Sequence, residues 1–493
     1  MGRHLLLGTG LNVLGGIVGQ GFTFVTLVIA LSRVGAEAYG IVALALSVTQ
    51  LPLLLEKGMG IYVLSAVNAP HTDERRGARL AVSAASYMGL GLATLLVGLF
   101  VSHGLLDAII EVSPHLKFSA IRAFDLLAVA AAVRAVFAFT ARSLVAESRL
   151  PTLRVIELSR DAAGLVFTVL LVGHGARNVI WVALAVLISD LVAAGVAAAV
   201  ARSTWREALH PGSIDADVRE EFLHACKPYL AIVASGAMVS RADPFVIGVV
   251  LGPSALALHA VALRLFQLYS GAIDLLCLGV MSGTARLRAS GESQRVGGLY
   301  RKASRYAALV IWPMAILAIA YAGRVAERFG EFQQGEFVGV LRSVMLLVLL
   351  TVPVSEAWAV VFGANDVSGL VRRQWVVTMA SFVLTVALAK PLGVPAAFVG
   401  SMAGTLGAGL FLLPAVGRLS GQSVGKLLSG LIRPGFLAVG LFVALVVFRS
   451  FAPNIATELV LVTAALALYG VLGLFWAVLT EDRQRVFAGL ARG

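Results

Sequence analysis

The chain has 493 residues, of which 59% are apolar and only 13% charged. Soluble chains carry about 25% charged residues, so this composition cannot cover a water-facing surface and a soluble enzyme is excluded. A net charge of +12 would suggest nucleic acid in a soluble protein, but here most of the basic residues lie in short loops between apolar runs, where they set membrane orientation and call for no nucleic acid.

A membrane-spanning helix takes roughly 20 predominantly apolar residues. The apolar runs predict fourteen spans in chain order, over 5–32, 39–67, 80–102, 119–146, 152–173, 179–202, 223–251, 254–283, 303–325, 337–363, 372–389, 395–417, 434–451 and 456–479. The first run carries no small-residue cleavage site at signal-peptide distance, which predicts an uncleaved first helix. Counting residues within four positions of a span end with the adjoining segment, 25 of the 39 Lys and Arg residues fall on the N-terminus and the segments following even-numbered spans, 8 on those following odd-numbered spans and 6 deeper inside spans. That bias predicts a multi-pass protein of the cytoplasmic (inner) membrane with both termini cytoplasmic. Cys226 and Cys277 fall in or near apolar segments and read as packing residues.

A shift of 217 residues lays span 2 on span 8: Gly35 falls on Gly252, Ala38 on Ala255, Ala43 on Ala260, Ala45 on Ala262 and Gln50 on Gln267. Ser47, Gln50 and Lys57 form a polar stripe whose counterparts are Arg264, Gln267 and Asp274, since positions i, i+3 and i+10 share one helical face. The predicted fold is therefore all-α, with two similar six-helix halves, residues 1–203 and 223–418, a linker over 204–222, and two added spans with a tail over 419–493. Repeats of this kind meeting at mid-membrane are the construction of alternating-access transporters.

Charges inside spans are expensive and mark function. Arg134, Arg160, Arg241 and Arg264 lie too far from their span ends to reach water easily and are the candidates for a cationic cavity; Lys57 and Arg342 are nearer span boundaries. The buried acids are Glu56, Asp125, Glu157, Asp161, Asp190, Asp243, Asp274 and Glu356. Ion pairing accounts for such acids, as in Glu157 with Arg160 or Asp274 with Arg241; alternatively Asp243 and Asp274 bind H⁺ or Na⁺ and couple transport to a gradient. His259 reads as packing, as do Gly15, Gly16 and Gly19 on the thin face that also holds Asn12, Gln20 and Thr23. No span holds a zinc-ligand pair, a nucleophile elbow or a Walker loop, so no cofactor is expected and ATP hydrolysis by this chain is excluded.

Three local patterns resemble the multidrug, oligosaccharidyl-lipid and polysaccharide exporter superfamily, in its polysaccharide transporter branch. They are Leu31-Ser32-Arg33-Val34-Gly35-Ala36-Glu37-Ala38-Tyr39-Gly40 between the first two spans, Gly58-Met59-Gly60 in the second, and Pro391-Leu392-Gly393-Val394-Pro395-Ala396-Ala397 between the eleventh and twelfth. Pro395 stands where the family has a second Gly. The resemblance covers essentially the whole chain and implies a MATE-like, V-shaped pair of lobes and a non-enzymatic flippase for O-antigen or exopolysaccharide precursors. Its substrate would be a polyprenyl-diphosphate-linked oligosaccharide, and its partners membrane lipids and polysaccharide assembly enzymes.

Arginine suits a diphosphate because its planar fork gives bidentate, charge-assisted hydrogen bonds. Arg264, Arg241 and Arg134 are the residues expected at the diphosphate, with Gln50, Gln267 and Asn12 on sugar hydroxyls. Two other readings stand beside this one: a cation-coupled drug exporter of the same superfamily, whose cavity should be lined by acids and aromatics, and a membrane glycan polymerase or ligase, which needs a larger external loop than the roughly 16 residues near 103–118.

Overall fold

The computed structural model describes residues 2–68, 75–106, 112–147, 149–173, 178–209, 216–327, 332–451 and 455–478. Its regular structure there is helical throughout, as a chain in hydrocarbon requires when each backbone N–H and C=O must be satisfied within its own segment. The helices are α1 (Gly2–Val34), α2 (Ala36–Gln50), α3 (Glu56–Asn68), α4 (Arg76–Phe100), α5 (Lys117–Ala146), α6 (Leu150–Gly173), α7 (Val179–Val200), α8 (Arg202–Leu209) and α9 (Ala216–Leu251). They continue with α10 (Pro253–Ala289), α11 (Val296–Ala320), α12 (Ala322–Ala326), α13 (Gln334–Gly363), α14 (Val371–Leu392), α15 (Pro395–Ser420), α16 (Val424–Leu428), α17 (Ile432–Phe451) and α18 (Ile455–Leu472).

Among the described residues, ten helices are long and apolar enough to cross a membrane, and they coincide with ten of the predicted spans. The other predicted segments are occupied by α1, by α2 with α3, by α6 and by α9. Charge explains why α6 falls outside the ten: it carries Arg154, Glu157, Arg160 and Asp161. The protein is an all-α, multi-pass membrane protein. Two compact units divide the chain, one of residues 1–268 with 374–400, the other of 269–373 with 401–493.

In the first unit α5 packs between α4 and α7, α6 lies on α1 and α7, and α3 rests on α5 and α9. The turns into α2 and α10 are built alike. Gly35 and Gly252 have φ of 84° and 88°, a region open to glycine but costly for any residue with a Cβ. The Gly35 amide donates to Leu31 O at 2.9 Å and its carbonyl accepts from Tyr39 N at 3.0 Å; the Gly252 amide donates to Gly248 O at 3.1 Å and its carbonyl accepts from Leu256 N at 3.2 Å. All three positions correspond under the 217-residue shift. Gly40, one turn into α2, lies against the Pro253 carbonyl so closely that a Cβ would overlap it.

Span 2 is a single helix in the sequence reading, and the structure corrects this. Helix α2 stops at Gln50, a tight 3-10 turn covers Pro52–Leu55, and α3 begins at Glu56. Pro52 has no N–H to give to Val48 O, and Leu51 N takes that carbonyl at 3.2 Å instead, which tightens the chain into the shorter turn. In α10 the corresponding position is Tyr269 and the helix runs through unbroken.

The N-terminal end of α4 is fastened to α8 and α9 by ion pairs: Arg76 with Glu207 at 3.1 Å, Arg79 with Glu221 at 3.3 Å and Arg75 with Asp217 at 3.8 Å. Beneath them Tyr62 meets Phe222 edge-on at 5.1 Å, and Phe139 meets Trp205 at 4.9 Å. In the second unit α11 packs on α13 and α17, and α17 on α18, around Ile316, Leu441, Leu445 and Tyr469. The outward residues of several spans are large and apolar, as with Val376, Leu410, Phe436 and Val460, all at least 65% exposed. Such surface suits lipid tails and no aqueous solvent.

The Gly35 conformation (φ 84°, ψ 166°) predicts that Gly35→Ala costs about 1–3 kcal/mol. The apparent melting temperature of the detergent-purified protein should fall for this variant and for Gly252→Ala, while Gly21→Ala, with no atom near the added methyl, should leave it unchanged.

Candidate functional site

Four helices of the first unit carry the charged groups that the sequence places deep in the membrane. Arg134 lies on α5, Arg160 and Asp161 on α6, Asp190 on α7 and Arg264 on α10. At 1.5 Å per residue Arg264 is roughly 17 Å along α10, and Arg160 roughly 15 Å along α6. Both depths are near the middle of a ~30 Å hydrocarbon layer.

Arg134 grips Asp190 through both arms of its guanidinium, Nε to Oδ1 at 3.3 Å and a terminal nitrogen to Oδ2 at 2.6 Å. Asp190 is 2% exposed, and the planar fork satisfies both carboxylate oxygens at once. Arg160 folds back on its neighbour Asp161, Nε at 3.1 Å and a terminal nitrogen at 2.8 Å from the same oxygen, and it also feels the charges of Asp190 and Glu157. Glu157 pairs with Arg154 at 2.8 Å, one helical turn away, so the expected pairing of Glu157 with Arg160 is replaced by the Arg154–Glu157 and Arg160–Asp161 pairs.

Arg264 differs from both. It donates to the neutral amide oxygen of Gln267 at 2.9 Å and has no carboxylate partner among the described residues. It is within electrostatic reach of Tyr39, Arg134, Arg160 and Asp161. The group therefore holds three arginines against Asp161 and Asp190, one positive charge in excess. Tyr39 on α2 is 6% exposed and joins this group, although the sequence reading did not single it out. Its position within the Tyr-Gly hairpin is the signal that could have done so.

Helix α1 reaches the same group through its thin face. A Cβ on Gly19 would stand 2.7 Å from Asp161 Oδ2, and one on Gly15 would stand 2.7 Å from the Arg154 side chain, so these glycines let α1 lie close on α6. Gln50 is half-buried at the end of α2. The side chains of Asn12, Arg241 and Asp274 lie outside the described residues, and with them the expected contact between Asp274 and Arg241. Asp243 is 5% exposed on α9.

Most of the remaining buried acids have partners. Asp125 accepts from Ser102 at 2.8 Å and lies 3.2 Å from His103. Glu56, at the start of α3, accepts from Arg142 Nε at 2.7 Å, and its carbonyl accepts from Tyr87 at 3.0 Å. His259 is 2% exposed and stacks on Phe398 with ring centroids 5.1 Å apart. Among the described residues no cluster of His, Cys, Asp and Glu could hold a metal ion.

A family model described as "Polysaccharide biosynthesis protein" matches residues 31–331. Among solved structures, the chain is 19% identical to an inward-facing multidrug resistance MATE transporter of the MOP superfamily, with a TM-score of 0.69 over 83% of this chain and 96% of that one. It is 17% identical to a MOP superfamily transporter from Pyrococcus furiosus, with a TM-score of 0.58 over 84% and 95% of the two chains. An outward-facing MATE transporter matches at 18% identity and a TM-score of 0.59, over 84% and 97%. These likenesses show a MATE-like fold. No curated protein sequence matches significantly.

Breaking a buried pair leaves a charge without a partner, at a cost of about 3–5 kcal/mol. Arg134→Ala should therefore lower the melting temperature of the purified protein strongly, and Arg134→Ala with Asp190→Ala should recover much of the loss. Arg264→Gln, which strands no carboxylate, should melt close to wild type.

Proposed function

Because this chain belongs to the polysaccharide biosynthesis family whose model it matches over residues 31–331, we propose that it is a transporter that flips a polyprenyl-diphosphate-linked oligosaccharide from the cytoplasmic to the outer leaflet of the cytoplasmic membrane by alternating access. The observation that carries this reading is the Arg134, Arg160 and Arg264 group, in which two guanidiniums are matched by aspartates and the third, among the described residues, holds an amide and no carboxylate. An anion that enters such a site finds an unneutralised guanidinium already oriented by Gln267, in surroundings where charge-assisted hydrogen bonds are strong. A diphosphate supplies that anion. Arg241 joins these arginines in the proposal, and Gln50, Gln267 and Asn12 take the sugar hydroxyls.

The wider proposal keeps fourteen spans, two six-helix lobes with both termini cytoplasmic, and a lipid tail that stays in the bilayer beside the last two spans. Asp243 and Asp274 are its ion-coupling residues, for H⁺ or Na⁺. A cation-binding drug exporter is disfavoured because Asp161 and Asp190 are already engaged by arginine. For the Pyrococcus furiosus transporter, reverse polarity of the binding pocket suggests a different function, and here too the polarity of the charged group supports an anionic substrate.

The test is the leaflet distribution of lipid-linked glycan in cells lacking the protein, read with a membrane-impermeant glycan-oxidising reagent. Glycan should be protected on the cytoplasmic side, released by wild type, and released at least tenfold more slowly by Arg264→Ala, the loss expected when one charge-assisted hydrogen bond worth about 1.5–3 kcal/mol is removed. Normal distribution of every lipid-linked glycan in the deletion strain would refute the flippase.

A further inference from the structure

Among the described residues of the second unit, one fully buried acid is not explained by pairing. Glu356 on α13 is 0% exposed, and neither of its carboxylate oxygens has a hydrogen-bond partner among the described residues. Its surroundings are polar but uncharged. The Cys277 thiol on α10 is a weak donor toward it and Tyr300 on α11 acts on it through charge, and Ser304, one turn beyond Tyr300, is also fully buried.

The helix around Glu356 is opened by Pro353. Proline cannot donate to the Leu349 carbonyl, and Trp312 Nε1 does so from α11 at 3.2 Å. The Pro353 carbonyl itself accepts from Tyr300 at 3.0 Å. Both α11 side chains are thus spent on the backbone of α13, and among the described residues the carboxyl one turn later has no donor stronger than the weak thiol of Cys277.

Among the described residues no cation acts on it; on α11, Arg305 donates to Gly430 O and Lys302 lies over the Tyr306 ring. Arg342 lies fourteen residues earlier on α13, roughly 21 Å away along the helix. Arg288 on α10 donates to Ala364 O, eight residues past Glu356 and roughly 12 Å along the axis. From α12, Arg324 is engaged with Glu327 and Glu458. Helix α15, which meets α13 through Phe411 on Trp358 and Gly409 on Val354, has no titratable residue between Ser401 and Leu413. The side chain of Asp274, one turn before Cys277, lies outside the described residues.

An ionised carboxylate in hydrocarbon without donors or a counter-charge costs several kcal/mol even after relaxation. A hard metal cation wants about six oxygen ligands, and the described polar side chains around Glu356 offer two hydroxyls and a thiol. A proton needs one oxygen. We propose that Glu356 is an exchangeable proton-binding site, neutral in this conformation, that ionises when the helices around it open to water. On opening, the carboxylic O–H bond breaks, its electron pair stays on the carboxylate, and the proton passes to water. This rests on the transporter reading and supplies it with a proton step in the second unit.

Infrared spectroscopy of the full-length protein in lipid vesicles tests the site without any glycan. Wild type should show the carbonyl-stretch band of a protonated carboxylic acid that persists at alkaline pH, and the band should be lost in Glu356→Gln and kept in Asp125→Asn. Glu356→Gln preserves shape and neutrality, so its melting temperature should match wild type. An unchanged band in Glu356→Gln, or a band removed by added Na⁺ at constant pH, would overturn the proposal. In the leaflet assay Glu356→Gln should flip glycan with a pH profile shifted from that of wild type; an unshifted profile would also overturn it. Failure of the glycan reading leaves the infrared result standing, so the two failures are separable.

Discussion

Everything in this molecule follows from the cost of a charge that has lost its water. In a layer of hydrocarbon the backbone is forced into helices, and a side-chain charge survives only beside an opposite charge, a dense set of dipoles or a cavity that will hold its partner. Arg134 with Asp190, Arg160 with Asp161 and Arg142 with Glu56 meet that condition internally. Arg264 meets it only in part, and Glu356 does not meet it as an anion at all. The two exceptions are where function is proposed: a guanidinium that waits for an anion, and a carboxyl that keeps its proton.

The membrane class and the positions of ten of the predicted spans were legible because hydropathy records the same bilayer that shapes the structure. The kinship of the hairpins at Gly35 and Gly252 was legible too, since a positive φ admits glycine almost alone, and both turns repeat one hydrogen-bond pattern. The break in span 2 was written in Pro52, yet proline within an apolar run is common enough in membrane helices to be read through. Pro313, Pro353 and Pro414 each sit inside an unbroken helix. What distinguishes Pro52 is that Leu51 N takes the freed carbonyl within the chain itself, whereas Pro353 is compensated from a neighbouring helix by Trp312.

Partner choice was the least legible part of the site. Periodicity puts Arg134, Arg160 and Arg264 deep in their helices but is silent on which acid each one meets, because that depends on how helices from distant parts of the chain pack. Asp190 comes to Arg134 from 56 residues away. Tyr39 enters the group because α2 begins against the start of α10 at Gly40 and Pro253, a contact no local pattern encodes. Glu356 was visible as one buried acid among eight, and only the three-dimensional absence of a partner sets it apart.

The central claim is that an under-neutralised arginine group recognises the diphosphate of a lipid-linked glycan. The most direct measurement is flipping in reconstituted vesicles that contain the purified protein and polyprenyl-diphosphate-linked oligosaccharide, with the monophosphate-linked form as comparison and Arg264→Ala beside wild type. The account predicts that wild type flips the diphosphate form in preference to the monophosphate form, and that the preference collapses in Arg264→Ala. Equal flipping of both forms by wild type, or an undiminished preference in the variant, would contradict it.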